Sequence, residues 1–404
     1  MKIKYFALFL ILLTFLLPSQ DKPYVIMVSF DGFRFDYPDR VDTPNFDYLQ
    51  EHGVKAASMQ PVFPSKTFPN HYSLATGAYT GTHMLSDNHF YDKKFKEQYT
   101  MMEREKVQDP KWYQAEPIWV TAERQGVIAA SYFWVGSEAP VKGTLPSIFK
   151  LYDGSVPFDT RVDSVVSWLR LPENIRPHLI MLYFSEPDFS GHIYGPESSE
   201  VTSVISEMDG ILGLLREGIQ SLPISNQINL VVVSDHGMQE INQERIVILD
   251  DYISKMNDIY INGRGTHLQI DLKKTFYPGL KKQLEGIPHV SVYSKDSLPG
   301  HFHFLNRNTG EYVLVADGGW LVLTKKGAQK RGTYKGEHGY DPVLKSMHSI
   351  FYAYGPAFKS GYVVDTFENV HVYPMVCNVL NIAPYHNEID GPDGRLEILQ
   401  HILK

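Results

Sequence analysis

The sequence predicts an α/β protein: a mostly parallel sheet flanked by helices, with a smaller β-rich insertion. Three observations carry that prediction. Three apolar runs, from Tyr24 to Phe30, His178 to Phe184 and Asn229 to Ser234, are rich in Val, Ile, Leu or aromatics and do not alternate. That is the pattern of strands buried on both faces. Helical segments separate the runs, and strands alternating with helices build parallel sheets. From Asp250 to about Gly332 the texture changes to short strand-like pieces broken by Gly, Asn and Lys.

Each helix has its own signals. Thr43 is placed to cap a helix with Pro44 at its first position, and Gly53 stops it. Further helices are expected near Ile118–Gln125, Thr160–Leu169, Ser198–Gly218 and Asn369–Leu380. A short helix from Tyr72 to Ala75 ends at Gly77. Because Pro69 disfavours helical geometry at Phe68, Thr67 and Phe68 are expected just outside its start. The strand pieces of the β-rich stretch are Ile259–Ile261, His267–Ile270, His289–Tyr293, Tyr312–Ala316 and Trp320–Leu323, and core texture returns at His348–Tyr354. The expected division is therefore a core formed by residues 21–249 and 333–404, with 250–332 as a cap.

The 404 residues, 43% hydrophobic and 21% charged, exclude wholesale disorder, collagen-like repeats and a multispanning membrane protein. The net charge of −8, without a basic patch, argues against duplex nucleic acid as a partner. Residues 1–20 have the pattern of an export signal. Lys2 and Lys4 precede an apolar run from Tyr5 to Leu17, which Pro18-Ser19-Gln20 closes. That run is short for a fixed bilayer span. Export follows, periplasmic or secreted, with no stable membrane insertion once the signal is removed; an uncleaved signal would act as an anchor. The lone Cys377 excludes an intrachain disulfide, and no N-glycosylation sequon occurs. Both favour a bacterial periplasm over the eukaryotic secretory route.

Ligands of such sheets bind beyond the carboxyl ends of the strands. All three apolar runs lead there into an aspartate: Asp31, Asp188 (after Ser185-Glu186-Pro187) and Asp235. Histidines lie close by. Asp188 and His192 are four apart across a Gly-containing turn, His236 follows Asp235, and His338 sits in Gly336-Glu337-His338-Gly339. Carboxylates and imidazoles without thiolate suit Zn²⁺ or a similar divalent ion kept open for catalysis, and three Asp with three His suffice for two ions. Singly, each has an ordinary explanation: Asp-His-Gly makes turns, and Asp188 after Pro187 could close a local hydrogen bond. Their joint placement after three buried strands is what points to a site. Thr67, in Pro64-Ser65-Lys66-Thr67-Phe68-Pro69-Asn70-His71, places a hydroxyl near the positive end of a helix, where anions are favoured. A capping role for Thr67 remains open from its local sequence, as does a simple turn role for Asn88.

The segments V-S-F-D-G-F-R, P-S-K-T-F-P-N-H, D-N-H-F-Y-D, E-P-D-F-S-G-H-I-Y-G-P, S-D-H-G-M and G-E-H-G-Y resemble the nucleotide pyrophosphatase/phosphodiesterases of the alkaline phosphatase superfamily. They occur in order between Tyr24 and about His386. The resemblance implies an alkaline-phosphatase-like sheet and two Zn²⁺ per chain. Asp188, His192 and His338 would bind one ion, and Asp31, Thr67, Asp235 and His236 the other. It implies Thr67 as the nucleophile, a covalent phospho-threonine, and Asn88 holding a non-bridging phosphoryl oxygen together with the Thr67 backbone N–H. Small-molecule nucleotides would be the substrates and nucleoside 5′-monophosphates the products.

By the same resemblance, Phe68 and Tyr152, the latter in K-L-Y-D-G-S-V-P-F, would hold the nucleobase between them. Trp134 is expected to line that cleft. Stacking on a base is worth roughly 1–3 kcal/mol. Unlike the multidomain animal members, the protein is expected to lack a cysteine-rich leader and a nuclease-like tail. Two other chemistries remain open on this scaffold. One is cleavage of choline-type lipid head groups, whose cation an aromatic cage would hold. The other is phosphomonoester hydrolysis, for which Lys66 beside Thr67 could supply the extra positive charge.

Overall fold

The computed structural model describes residues 23–273, 277–387 and 391–404. The proposed signal, residues 1–20, lies outside them. Among the described residues no helix is long and apolar enough to cross a membrane.

The centre of the molecule is an eight-stranded sheet, ordered Tyr362–Val364, Val54–Ala56, Phe351–Tyr354, Ile228–Val233, Tyr24–Phe30, Leu179–Phe184, Ala129–Tyr132 and Ile148–Lys150. The three runs expected as buried strands are neighbours in the middle of it, all parallel. Val28 lies opposite Leu182 on one side and Val232 on the other. Phe351–Tyr354 is the exception, running antiparallel to both of its neighbours.

Both faces of this sheet are covered, which is why its central strands read as unbroken apolar runs. Val25, Met27, Met181 and Val231 point into one core with the Thr67–Thr76, Ile118–Arg124 and Val372–Val379 helices. Ile26, Val28, Leu182 and Val232 point into the other, with Pro44–His52, Phe158–Leu169 and the long Ser199–Gln220 helix. Ser198 caps that last helix, its hydroxyl accepting from the Val201 N–H at 3.2 Å.

Three local expectations need correction. Thr43 precedes the Pro44–His52 helix but does not cap it; its hydroxyl donates to the Pro38 carbonyl instead. Thr67 and Phe68 lie inside the helix, which runs Thr67–Thr76 from Lys66 as N-cap to Gly77 in the left-handed conformation. Pro69 is then the third residue, where no intrahelical N–H bond is lost. Asp188 and His192 are not joined by a turn but lie one turn apart on the Asp188–Tyr194 helix.

The β-rich stretch forms a four-stranded antiparallel sheet, ordered Ile259–Arg264, His267–Leu272, Tyr312–Ala316 and Val290–Ser294, over its own apolar core. The fifth expected piece does not join it. Leu321–Leu323 pairs in parallel with Ile246–Ile248. A small antiparallel clasp, Gln239–Glu240 with Gly336–Glu337, returns the chain to the carboxyl rim of the large sheet.

Candidate metal centre

The rim is assembled by backbone contacts between three loops. The Asp31 N–H donates to the Phe184 carbonyl at 2.9 Å, the Asp188 N–H to the Asp31 carbonyl at 2.9 Å, and the Gly32 N–H to Asp235 Oδ1 at 3.1 Å. Gly32 is needed for this approach. Its φ is +66°, and a Cβ there would lie 2.8 Å from the Asp188 Cα. The clasp brings in His338 from the far end of the chain.

Asp188, His192 and His338 offer ligand atoms within 4.8 Å of one another, and so do Asp31, Asp188 and His236. Asp188 Oδ1 is 3.5 Å from His192 Nε2 and 3.7 Å from His338 Nε2. His236 Nε2 lies 2.9 Å from Asp235 Oδ2, 3.6 Å from Asp31 Oδ1 and 3.3 Å from the Thr67 hydroxyl. The Thr67 hydroxyl thus meets the Asp/His cluster from a helix start whose first N–H groups have no intrahelical partner. Asn88 accepts the Phe68 N–H on Oδ1 at 2.9 Å, which fixes the amide and leaves its NH₂ as the free end.

Two features of these side chains fit divalent ions. First, each of the three histidines has a backbone carbonyl at Nδ1: Gly336 for His192 at 2.9 Å, Gly237 for His236 at 2.9 Å and Ser65 for His338 at 2.8 Å. A carbonyl only accepts, so each Nδ1 carries a proton and each Nε2 is the ring nitrogen turned to the centre, the orientation of metal-binding histidines. Second, Asp31 Oδ1, Asp188 Oδ1 and Asp235 Oδ2 are buried without a hydrogen-bond partner. Burial, with Asp235 and Asp188 beside it, pushes the Asp31 carboxyl well above the usual carboxylate range. Three converging carboxylates of this kind call for cations.

The type I phosphodiesterase/nucleotide pyrophosphatase family model matches residues 25–341. The chain belongs to this family. It is 38% identical over 396 residues to human ectonucleotide pyrophosphatase/phosphodiesterase family member 1, covering 95% of this chain and 42% of that one. It is 37% identical over 395 residues to the venom phosphodiesterase of Naja atra, covering 95% and 47%. The chain therefore spans less than half the length of the curated relatives it matches. The solved structure of human ectonucleotide pyrophosphatase/phosphodiesterase 5 superposes with a TM-score of 0.88 at 32% identity, covering 94% of this chain and 99% of that one. A murine counterpart, an inactive threonine-to-alanine form in complex with AMP, gives 0.87 at 31% identity, covering 95% and 100%. The alkaline-phosphatase-like fold expected of the family is the fold observed.

Asp31, Thr67, Asp188, His192, Asp235, His236 and His338 lie together at this rim. The aromatic candidates divide. Tyr152 is 40% exposed, and its ring lies 5.1 Å from Phe133 and 6.4 Å from Tyr183. Phe68 is half-buried, 6.3 Å from Tyr99. Trp134 does not line the cleft. It is 1% exposed, with its indole N–H donating to the His71 carbonyl at 3.0 Å and its rings packed in the core.

Two contributors, His71 and Tyr183, are missing from the sequence-derived set, and a third residue, Lys66, is placed differently from its expectation. His71 accepts or donates at Ser29 Oγ through Nε2 (2.9 Å) and has the Thr67 carbonyl (3.0 Å) and Asp235 Oδ2 (3.3 Å) at Nδ1, tying the threonine to an aspartate of the centre. Its one signal is the four-residue spacing from Thr67 on a helix. Tyr183 donates to Asp31 from the central strand. Lys66 is not a free cation beside Thr67: its Nζ lies 3.1 Å from Glu337 Oε1. Lys66 and His192 outweigh burial and hold the Glu337 carboxyl down at about 2.

Proposed function

We propose that this chain hydrolyses phosphodiester and pyrophosphate bonds of nucleotides, releasing nucleoside 5′-monophosphates, with Thr67 as the nucleophile. One observation carries the proposal: a buried threonine hydroxyl meets His236, one of three histidines whose Nε2 atoms are all turned inward, on a chain of this family.

Asp188, His192 and His338 would hold one Zn²⁺ and Asp31, Thr67, Asp235 and His236 a second. Such a pair, when bound, lowers the proton affinity of a hydroxyl and stabilises charge on the attacking and leaving oxygens. The protein's own groups account for the rest. The helix start would aim Thr67 Oγ1 at the phosphorus; its proton passes to solvent, a Thr67–O–P bond forms as the bond to the leaving group breaks and the leaving oxygen takes a proton from solvent, and water then cleaves the Thr67 ester, returning a proton to Oγ1. Asn88 NH₂ and the Thr67 N–H donate to a non-bridging oxygen, where charge accumulates. A neutral amide suits a diester, which carries less charge than a monoester, and the pairing of Lys66 with Glu337 points the same way. Phe68 and Tyr152 would flank the base.

The same reading assigns residues 21–249 and 333–404 to the catalytic core, 250–332 to the cap and 1–20 to an export signal into the periplasm. Product analysis with ATP and with a dinucleotide tests the activity. Nucleoside 5′-monophosphate from both is the expected result; orthophosphate with ADP, or faster turnover of p-nitrophenylphosphorylcholine than of a p-nitrophenyl nucleotide ester, contradicts it.

A further inference from the structure

The β-rich sheet touches the centre at two adjacent residues, Thr266 and His267. Both are polar, both are fully buried, and both follow the turn at Gly265 that opens the His267–Leu272 strand. The Thr266 hydroxyl donates to the His338 carbonyl at 3.1 Å. His267 Nε2 lies 3.0 Å from Asp87 Oδ2, and the Phe63 ring stands edge-on to it at 5.5 Å. Asp87 is also buried and receives the His89 N–H on its other oxygen at 3.3 Å. Between Asp87 and His89 stands Asn88, whose amide is the oxygen-binding group of the proposed reaction. The rim segment carrying Asn88 is held by several contacts from this β-rich stretch, Asn306 to Ser86 (3.4 Å), Arg307 to Asp92 (2.8 Å) and Lys93 to Asp271 (2.7 Å) among them, and of these the His267–Asp87 pair stands immediately before Asn88.

We propose that His267 is a positioning residue for Asn88, acting through Asp87. The inference rests on the phosphodiesterase function proposed above. A carboxylate buried at Asp87 without its partner would have to move toward water or take up a proton, and either shifts the neighbouring amide. Burial raises the Asp87 carboxyl, but His267, with Lys66 and His89, outweighs it and holds the group below its ordinary value. Displacing a group that binds only the transition state lowers kcat and leaves KM nearly unchanged.

The test is a kinetic cycle on the zinc-loaded protein with a p-nitrophenyl nucleotide ester, using His267→Leu, His267→Gln, Asn88→Ala and the His267→Leu/Asn88→Ala pair. Zinc content and melting temperature are recorded for each. His267→Leu is expected to lower kcat about 10- to 100-fold with KM and zinc content held. His267→Gln, which keeps an N–H donor, should recover most of the loss. In the Asn88→Ala background His267→Leu should cost little more. An equal further loss in that background, an undiminished kcat in His267→Leu, or a loss in zinc content that tracks the loss in rate overturns the inference. Should His267→Leu fail to fold, Asp87→Asn with and without Asn88→Ala decides by the same criterion. If Asn88→Ala itself leaves turnover intact, the proposed function of Asn88 fails instead, so the two failures are distinguishable.

Discussion

The Tyr183 hydroxyl donates to Asp31 Oδ2 at 2.6 Å, while the other oxygen of that carboxylate faces His236 and has no hydrogen-bond partner. Tyr183 therefore fixes which oxygen of Asp31 is presented to the centre. Removing such a support costs metal affinity or activity by about 10- to 100-fold. Tyr183→Phe is expected to weaken zinc binding in a chelator competition by that factor while the fold is kept. Unchanged affinity would show that Asp31 is held by its backbone alone.

The three orphaned carboxylate oxygens also make a prediction about stability. Asp31, Asp188 and Asp235 repel one another when no cation lies between them, and a ligand that binds only the folded state stabilises it. Chelation should lower the melting temperature and zinc should restore it. The gain should be largely lost in Asp188→Asn, since Asp188 faces both His192 and His338. A melting temperature indifferent to chelator contradicts a metal centre here.

Burial holds three histidines away from the centre in their neutral form: His83 at about 3, and His348 and His371 at about 4. At His348 the charge of Lys345 adds to this, and at His371 that of Arg395. Their ordinary value is 6.5, so below that pH the unfolded chain binds protons that the folded one refuses. Stability is then full above pH 6.5 and falls as the pH drops toward 4. His371 Nδ1 accepts the Arg395 N–H, a bond that an amide oxygen can also accept. His371→Gln should lose less unfolding free energy than the parent between pH 6.5 and 4.5, measured by urea titration; equal losses contradict the assignment.

Much of the fold was legible because the central strands are buried on both faces. Val28, Leu182 and Val232 fill one core while Met27, Met181 and Val231 fill the other, so their runs stand out without alternation. The outer strands were not. Ala129–Tyr132 and Ile148–Lys150 are short, and the first is mostly small residues, so neither makes a run long enough to notice. The helix at Asp188 was hidden by Gly191 and Pro187, which read as a turn, although Pro187 stands at the N-cap, outside the helix.

What pointed to the centre was the joint placement of three aspartates after buried strands with histidines close by, since each of these residues singly has an ordinary explanation. The supports of the centre were not legible. The pairing of His267 with Asp87 joins residues 180 apart, and nothing in either local sequence marks it. Trp134, expected at the cleft from its place in Phe133-Trp134-Val135-Gly136-Ser137, is buried instead, with its indole N–H donating to the His71 carbonyl.

The central claim is that Thr67 attacks phosphorus. Rapid quenching during turnover of a dinucleotide, followed by peptide mass analysis, measures it directly. A nucleotidyl group on Thr67 in the parent, and neither adduct nor turnover in a folded, zinc-binding Thr67→Ala, is the predicted result. Turnover by Thr67→Ala at the parent rate, or an adduct on another residue, would contradict it.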